Sequence, residues 1–231
     1  MKYNDWEPVY LKIAEDLNFK IKDDISATKI FNKLLAKKKL IEIQYLKKLI
    51  FNKEVIVFGA GPSLEKKIEL FKHKLSNKIK ISADGATSAL IENGILPDII
   101  VTDLDGKIID QINANSKGSL IIIHAHGDNI ETIKKYLQEF KGFILGTIQS
   151  DPKSFNYLYN FGGFTDGDRA VFIADYFQAK SINLIGFDYD GKIGKYSFSD
   201  KKDKNLKMKK LKWCKLLIDL LKNKNQNIQE I

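Results

Sequence analysis

Residues 54–64 read EVIVFGAGPSL, a short apolar run followed by glycine, proline and serine. The stretch Glu54–Phe58 has the length and composition of a buried β-strand. The Gly-rich turn after it leads into a helical pattern that continues to about His73. A short buried strand that is followed directly by a helix is the unit from which parallel α/β sheets are built. This stretch therefore predicts an α/β fold.

The same alternation of strand and helix continues to residue 190. Further strands are predicted at Ile79–Ala83, Asp98–Thr102, Ser119–His124, Phe143–Leu145 and, as the last strand, Ser181–Ile185. One helix is predicted through Ala89–Glu92, with Gly94 as its C-cap. A second helix begins after Asp128 as its N-cap, and a third covers Gly167–Gln178. Continuous apolar strands that alternate with helices are typical of parallel sheets covered on both faces. The prediction is an open, mostly parallel, Rossmann-like sheet with flanking helices.

The two ends of the chain are predicted to be helical additions to this sheet. Residues 1–50 carry apolar side chains at helical spacing and form a helical N-terminal region, with Ser26 as a candidate N-cap of its second helix. Residues 51–190 are assigned to the α/β catalytic domain, and residues 191–231 to a basic mobile segment and a C-terminal helix. Whether the polar residues 188–205 close as a lid is left open.

The formal net charge of +9 is concentrated at the two ends of the chain. Residues 1–50 carry 11 lysines against 7 acidic residues, and residues 191–231 carry 12 lysines against 4. Residues 51–190 carry 15 basic residues against 18 acidic ones, so this segment is slightly acidic. No RNP, KH or zinc-finger pattern accompanies the lysines, and solvated helix faces explain them better than a polynucleotide site. We therefore expect no nucleic-acid partner.

Other features of the composition exclude several classes of protein. No run of residues approaches the roughly 18 consecutive apolar residues of a membrane span. The first ten residues, MKYNDWEPVY, lack the apolar stretch of a signal peptide. The single cysteine, Cys214, excludes an internal disulfide framework and a cysteine-based zinc cluster. We expect a cytoplasmic protein without a membrane partner, and both a monomer and a homodimer are compatible with the sequence.

Arg169 is the single arginine among the 38 basic residues. In a chain this rich in lysine, a lone arginine indicates a position that needs the planar guanidinium group, as in bidentate binding of phosphate or carboxylate. The alternative is a surface arginine retained by chance. The position of Arg169 inside a motif rich in glycine and aspartate favours the first interpretation.

Candidate functional residues directly follow the predicted strands, where ligands bind in open α/β sheets. After the first strand, Gly59 and Gly61 allow a close approach to the backbone. Pro62 and Ser63 then begin a helix whose free N–H groups suit an anion. A tight turn from strand to helix explains the same residues without any ligand.

Aspartates follow the second and third strands. Asp84, followed by Gly85, is compatible with a ribose contact, a metal ligand or a helix N-cap. Asp103 and Asp105 point the same way in an extended chain, and two carboxylates this close together need a neutralising cation. Because hard oxygen ligands suit Mg²⁺, we favour a metal at this pair.

Two histidines lie at the end of the fourth strand and directly after it. His124, His126 and Asp128 are compatible with a transition-metal site. The preferred interpretation is that the histidines make polar and phosphate contacts, while Asp128 caps a helix or binds a metal through water.

The richest motif is FGGFTDGDRA at 161–170. Its candidate residues are Gly163, Thr165, Asp166, Asp168 and Arg169. A Gly-Gly turn, two further carboxylates and the lone arginine at a helix start are difficult to explain by turn chemistry alone. Together with the earlier aspartates, they predict a metal–nucleotide site.

Five motifs occur in a defined order. They are GAGPSL at 59–64, ADGA at 83–86, PDIIVTDLDG at 97–106, HAHGDN at 124–129 and GGFTDGDRA at 162–170. In this order, over about residues 54–190, the chain resembles the archaeal 6-hydroxymethyl-7,8-dihydropterin pyrophosphokinase (MptE-like) family and, more distantly, thiamin pyrophosphokinase. The resemblance implies transfer of diphosphate from ATP to the hydroxymethyl oxygen of a reduced pterin, with release of AMP, in tetrahydromethanopterin- or folate-type pterin biosynthesis. Mg²⁺ is the implied cofactor and ATP the implied co-substrate.

The resemblance also implies roles for individual residues. The metal ligands would be Asp84, Asp103, Asp105, Asp128 and Asp166. The catalytic residues would be Asp103, Asp168 and Arg169. The resemblance does not fix which carboxylate serves as metal ligand, base or pterin contact; on chemical grounds Asp103 and Asp168 are the candidates to accept the hydroxyl proton. The residues of the nucleotide pocket would be Gly59, Gly61, Pro62, Ser63, Asp84, Gly85, His124, His126, Gly163 and Thr165. Candidates for the pterin are Phe164, Phe187 and Asp188, although core packing is the preferred explanation of the two phenylalanines.

Three other functions are compatible with the same residues. One is thiamin diphosphokinase, and another is a metal-dependent nucleotide-sugar glycosyltransferase, in which DxD-type metal sites also occur. The third is a nucleotide- or RNA-binding module that uses the Lys-rich ends, which would bind polynucleotides with a steep dependence on salt.

Overall fold

The computed structural model describes residues 1–197 and 204–231, and its described strands form one parallel sheet. The strands are β1 (Glu54–Phe58), β2 (Ile79–Ala83), β3 (Ile99–Thr102), β4 (Leu120–Ala125), β5 (Ile144–Ile148), β6 (Leu158–Tyr159), β7 (Ser181–Ile185) and β8 (Ile228–Glu230). Their order is β6-β5-β4-β3-β2-β1-β7-β8, and every pairing between these strands is parallel. The predicted open parallel α/β sheet is therefore confirmed.

Helices cover both faces of the sheet. They are α1 (Tyr3–Leu17), α2 (Ile21–Leu35), α3 (Ile43–Ile50), α4 (Leu64–Phe71), α5 (Ala86–Glu92), α6 (Ile108–Ser116), α7 (Ile130–Tyr136), α8 (Asp166–Tyr176) and α9 (Lys204–Lys222). Short 3-10 turns occur at Lys72–Lys74, Leu137–Glu139 and Pro152–Ser154. The helical N-terminal region and the C-terminal helix are present as predicted.

Several local predictions are wrong. Ser26 lies inside α2, where its hydroxyl donates to the Lys22 carbonyl at 2.9 Å, so it is not an N-cap. The N-cap of α7 is Asn129 rather than Asp128. β7 is not the last strand, because β8 pairs with it in parallel at the edge of the sheet. β6 and β8 have only two and three residues, which is too short for a recognisable apolar pattern.

The sheet buries different residues on its two faces, because successive side chains of a strand alternate. Val101 packs in one cluster with Trp6 and Ile13 of α1 and with residues of α8 and α9. Ile100 packs in a second cluster with Phe31 of α2 and with residues of α6 and α7. The N-terminal region therefore covers both faces of the sheet.

The topology places a site at the carboxyl end of the central strands. β1 lies between β2 and β7, so the chain order reverses there, and ligand crevices form at such points beyond the strand ends. Helix α8 returns across the sheet and packs on β1, β2 and β3, which brings its start above their carboxyl ends.

None of the helices in the described residues combines the length and the apolar character that a membrane span requires.

Candidate active site

Four aspartates from three separate segments meet at the carboxyl edge of the sheet. Asp84 follows β2, Asp103 and Asp105 follow β3, and Asp166 is the first residue of α8. One carboxylate oxygen from each of them lies within 4.8 Å of the others. The structure therefore brings together four of the five residues predicted as metal ligands.

Asp84 is held in one orientation by a set of hydrogen bonds to a single oxygen. Its Oδ1 accepts from Thr102 Oγ1 at 2.8 Å, from Gln111 Nε2 at 2.8 Å and from the Gly106 N–H at 3.2 Å. A Cβ at Gly106 would lie 2.4 Å from Asp84 Oδ2. The backbone of Asp84 has a φ of 38°, a conformation that non-glycine residues seldom adopt. The fold thus strains one residue and excludes a side chain at another in order to fix this carboxylate.

Asp103 is oriented by His126 and by the start of α8. Its Oδ2 accepts from His126 Nε2 at 3.3 Å, and its N–H donates to Asp166 Oδ2 at 3.3 Å. His126 Nδ1 accepts from the Asp128 N–H at 3.2 Å, so in the neutral ring Nε2 carries the hydrogen. Within residues 1–197 and 204–231, Asp103 Oδ1 is buried without a hydrogen-bond partner.

The crowding of these carboxylates changes their acidity. Loss of solvation, and then the charge of Asp103, raises the pKa of Asp84, of Asp105 and of Asp166. Loss of solvation also acts on Asp103, but the hydrogen bond and charge of His126 keep its pKa below the usual range. Four carboxylates in this space carry their full charge only if a cation neutralises them. An all-oxygen donor set with one buried unpaired oxygen fits Mg²⁺.

Arg169 is buried at the start of α8, with 3% of its surface exposed. Its Nη1 donates to Asp166 Oδ1 at 2.8 Å, and its Nη2 donates to the Phe164 carbonyl at 2.7 Å. Two donors of one planar group therefore hold a carboxylate and the loop before the helix, which a single ammonium group does not offer. The predicted bidentate contact to one carboxylate or phosphate stays a prediction.

Asp168 and Gly163 lie outside the lining of the cleft, which differs from their predicted roles. Asp168 is fully buried, and its Oδ1 accepts from the Phe164 N–H at 3.0 Å and from Thr165 Oγ1 at 3.1 Å. It closes the first turn of α8 like the acid of a capping box. A Cβ at Gly163 would lie 2.4 Å from Arg169 Cα, so this glycine permits a close backbone approach. Both residues position the Arg169 segment, while Thr165 lines the cleft as predicted.

The Gly-rich loop after β1 does not offer a free anion site. The Ser63 N–H and Oγ donate to Asp188 Oδ2 at 3.0 and 2.8 Å, so the chain's own carboxylate takes the anion position at the start of α4. A Cβ at Gly61 would lie 2.2 Å from the same oxygen. Pro62 and Ser63 do not line the cleft, in contrast to the prediction.

The remaining nucleotide-pocket candidates line the cleft. They are Gly59, Gly61, Asp84, Gly85, His124, His126 and Thr165. Asp128 also lines the cleft, but it is exposed and lies outside the four-carboxylate cluster. Its predicted role as a metal ligand is therefore not supported by the geometry.

Comparison with known proteins identifies the family of the chain that forms this cleft. The family model described as 6-hydroxymethylpterin diphosphokinase MptE-like matches residues 29–194. The chain belongs to this family. A 6-hydroxymethyl-7,8-dihydropterin pyrophosphokinase of Pyrococcus furiosus is 42% identical, over 96% of this chain and 95% of that protein. The enzyme of the same name from Methanocaldococcus jannaschii is 43% identical, over 97% of each chain.

A solved structure is similar to part of the chain at lower identity. The MAf glycosyltransferase from Magnetospirillum magneticum AMB-1 shares 20% identity with a TM-score of 0.43, over 60% of this chain and 23% of that chain. This degree of similarity does not bear on the activity of the MptE-like chain.

Both ends of this MptE-like chain contribute to the cleft, which the sequence did not predict. The lining residues from α9 are Lys207, Lys210, Leu211 and Cys214, and those from the N-terminal region are Tyr10, Phe19, Lys20, Asp23 and Asp24. Asp24 Oδ1 accepts from the Gly127 N–H at 2.7 Å and so ties α2 to the loop after β4. The α9 residues follow the i, i+3, i+4, i+7 spacing of one helix face, a signal that the sequence contained. Only the fold shows what this face covers.

Proposed function

We propose that this protein transfers the diphosphate group of ATP to the hydroxymethyl oxygen of 6-hydroxymethyl-7,8-dihydropterin and releases AMP. The observation that carries the proposal is the cluster of Asp84, Asp103, Asp105 and Asp166 beside Arg169 in one cleft. Diphosphate transfer needs such a centre, because its catalysis consists mainly of positioning and of stabilising negative charge. Membership of a family whose curated relatives carry this enzyme name supports the choice of acceptor.

Mg²⁺ held by the four carboxylates would supply charge neutralisation at the phosphate oxygens of ATP. The chain's own residues prepare this site. Hydrogen bonds to Asp84 Oδ1 leave its other oxygen for a ligand, and His126 directs Asp103 so that its unpaired Oδ1 is available. Arg169 fixes Asp166 and places a permanent positive charge beside the phosphates.

Aromatic residues at the cleft suit a flat acceptor ring. The rings of Phe19 and Phe164 lie 6.0 Å apart and both line the cleft, which supports Phe164 as part of a wall for the pterin. Cβ atoms at Gly59 and Gly167 would each lie 3.2 Å from the ring of Phe187, so this ring is packed between backbone segments. Asp188 already accepts two hydrogen bonds from Ser63, which favours a structural role for it.

The test is the identity of the product nucleotide. Incubation with ATP, Mg²⁺ and the dihydropterin is expected to yield AMP and the pterin diphosphate. Formation of ADP, or no turnover, contradicts the proposal. The same assay with thiamin as acceptor tests the thiamin alternative, and hydrolysis of a nucleotide sugar in the absence of ATP would favour a glycosyltransferase.

Asp103→Asn is expected to abolish turnover without unfolding the protein, because it removes a negative charge from the centre of the cluster. Asp110→Asn is the matched control, since Asp110 lies on α6 outside the cleft and pairs with Lys107. Turnover and thermal unfolding of both variants separate the two effects. Retained turnover in Asp103→Asn would contradict a role for the cluster, and polynucleotide binding that persists in the same variant would favour the binding-module alternative.

A further inference from the structure

His124 carries a buried nitrogen that no residue of the described chain satisfies. The residue is 2% exposed and lines the cleft, and its Nε2 has no hydrogen-bond partner within residues 1–197 and 204–231. Its other nitrogen, Nδ1, lies 3.1 Å from Thr147 Oγ1. A buried polar atom without a hydrogen bond lowers the stability of the folded protein. Such an atom in a cleft therefore indicates that a ligand forms the missing hydrogen bond.

The neighbours of His124 determine whether Nε2 donates or accepts a hydrogen bond, and so which kind of ligand group fits it. Thr147 Oγ1 donates to the Ile123 carbonyl at 3.4 Å, so its oxygen is free to accept from His124 Nδ1–H. The hydrogen then resides on Nδ1, and Nε2 is an acceptor. Burial, followed by the charge of Arg169, lowers the pKa of His124, so the ring is neutral near pH 7. The missing partner is a hydrogen-bond donor.

The position of His124 narrows the choice of donor. His124 lies inside β4, one residue after Ile123, which pairs with Thr102. His124 is therefore beside Asp103, at the carboxyl edge of the sheet where the carboxylates cluster. ATP phosphates at this cluster offer only acceptor oxygens near neutral pH. The donor next to a reacting phosphate in this reaction is the hydroxyl group that attacks it.

We propose that His124 Nε2 accepts a hydrogen bond from the hydroxymethyl group of the pterin and orients its oxygen toward the phosphate. This role rests on the proposed function. It makes His124 a specificity-determining residue, because a pterin that has a methyl group at the same position cannot donate and leaves Nε2 unsatisfied.

Two substitutions separate the two nitrogens of the ring. The amide of His124→Asn can reach the position of Nδ1 but offers no acceptor at the position of Nε2. The longer side chain of His124→Gln can place its Oε1 near the position of Nε2. The experiment measures dissociation constants of 6-hydroxymethyl- and 6-methyl-7,8-dihydropterin by calorimetry, in the presence of Mg²⁺ and an α,β-methylene analogue of ATP.

We expect the protein with His124 to bind the hydroxymethyl compound about tenfold more tightly than the methyl compound, which is the discrimination of one hydrogen bond. His124→Asn should bind both compounds equally, with the affinity for the methyl compound unchanged, and His124→Gln should retain most of the discrimination. Thermal unfolding identifies a variant that fails to fold. A ratio near one in the unaltered protein overturns the proposal even in that case, and the remaining folded variant still tests Nε2.

Other outcomes overturn the proposal. A ratio near one in the unaltered protein, a full ratio in His124→Asn, or equal weakening of both pterins would show that Nε2 does not meet the hydroxyl. Weaker binding of the ATP analogue, with unchanged binding of both pterins, would show that Nε2 contacts the nucleotide instead. If AMP formation is observed, each of these results contradicts only the role of His124, whereas absence of both pterin binding and AMP formation contradicts the proposed function itself.

Discussion

Arg169 shows at the scale of one residue why lysine does not replace arginine here. Its guanidinium reaches both Asp166 Oδ1 and the Phe164 carbonyl, whereas a single ammonium group has no such fork. We expect Arg169→Lys to lower kcat/KM about 100-fold although the charge is retained, since a shift of about 1 Å in the groups that position the reactants has an effect of this size. Steady-state kinetics with thermal unfolding as the control measure this, and near-normal activity would contradict the argument.

Asp168 makes stability depend on pH. Burial raises the pKa of its carboxyl to about 6, against the opposing charge of Arg169. A carboxyl whose pKa is higher in the folded state binds its proton more tightly there, so stability is fully present below about pH 4 and declines as the pH rises to about 6.

Asp168→Asn removes this ionisation and keeps an oxygen for the helix cap. We expect the free energy of unfolding of the unaltered protein to fall by about 3 kcal/mol relative to that of Asp168→Asn between about pH 4 and pH 7. Urea unfolding of both proteins across this range, at one magnesium concentration, gives the difference. A difference that does not vary with pH would exclude ionisation of Asp168.

At the scale of one element, α9 adds positive charge to an acidic cleft. Lys207 and Lys210 line the cleft on the same helix face as Leu211. Lys207 Nζ donates to Ser197 Oγ at 2.8 Å, and Lys210 Nζ lies 5.9 Å from the centre of the Phe19 ring, so both ammonium groups are held near the opening. Helix α9 therefore brings two cations to the acidic cleft, where their charge suits a polyanionic ligand such as the proposed ATP.

The double substitution of Lys207 and Lys210 to Gln is expected to weaken binding of an unreactive ATP analogue about tenfold, because close charges contribute on this scale. Substitution of Lys209 and Lys212 to Gln is the matched control, since both are exposed and neither lines the cleft. Calorimetry at low and high salt measures both variants. Equal losses of affinity would mean that only the overall charge of the protein matters.

At the scale of the whole molecule, the three predicted segments share their cores. Trp6 of the N-terminal region is fully buried in the cluster that also contains Val101 of the sheet and Leu217 of α9. Trp6 Nε1 donates to Gln149 Oε1 at 3.0 Å, and Gln149 lines the cleft. The division into three segments remains a prediction, but these contacts argue against independent folding of the ends.

We therefore expect one cooperative unfolding transition for the whole chain. Of the two tryptophans, Trp213 is partly exposed, so Trp213→Phe leaves Trp6 as the only fluorescent reporter of the N-terminal region. Its fluorescence and the far-ultraviolet circular dichroism should change at the same urea concentration. Separate midpoints would show that the N-terminal region unfolds on its own.

The main strands and the order of the acidic motifs follow from local patterns in the amino-acid sequence. Buried parallel strands are continuous apolar runs, so β1, β2 and β7 have the bounds that their residues predict. Parallel strands also end at a common edge, which explains why aspartates far apart in the chain could be assigned to one cleft. The edge strands β6 and β8 were not predicted, because two or three residues are too few to show an alternating or a continuous apolar pattern.

Which of the candidate residues face the cleft depends on how the elements pack together. Asp188 fills the anion position beside Ser63, and Asp168 turns inward to cap α8. The basic ends, which account for the net charge of +9, bring lysines of α9 to the cleft that the acidic middle of the chain forms. A sequence pattern records which residues lie on one face of a helix or follow one strand. The partner of that face depends on contacts between residues far apart in the chain, and these are fixed only when the helices pack on the sheet.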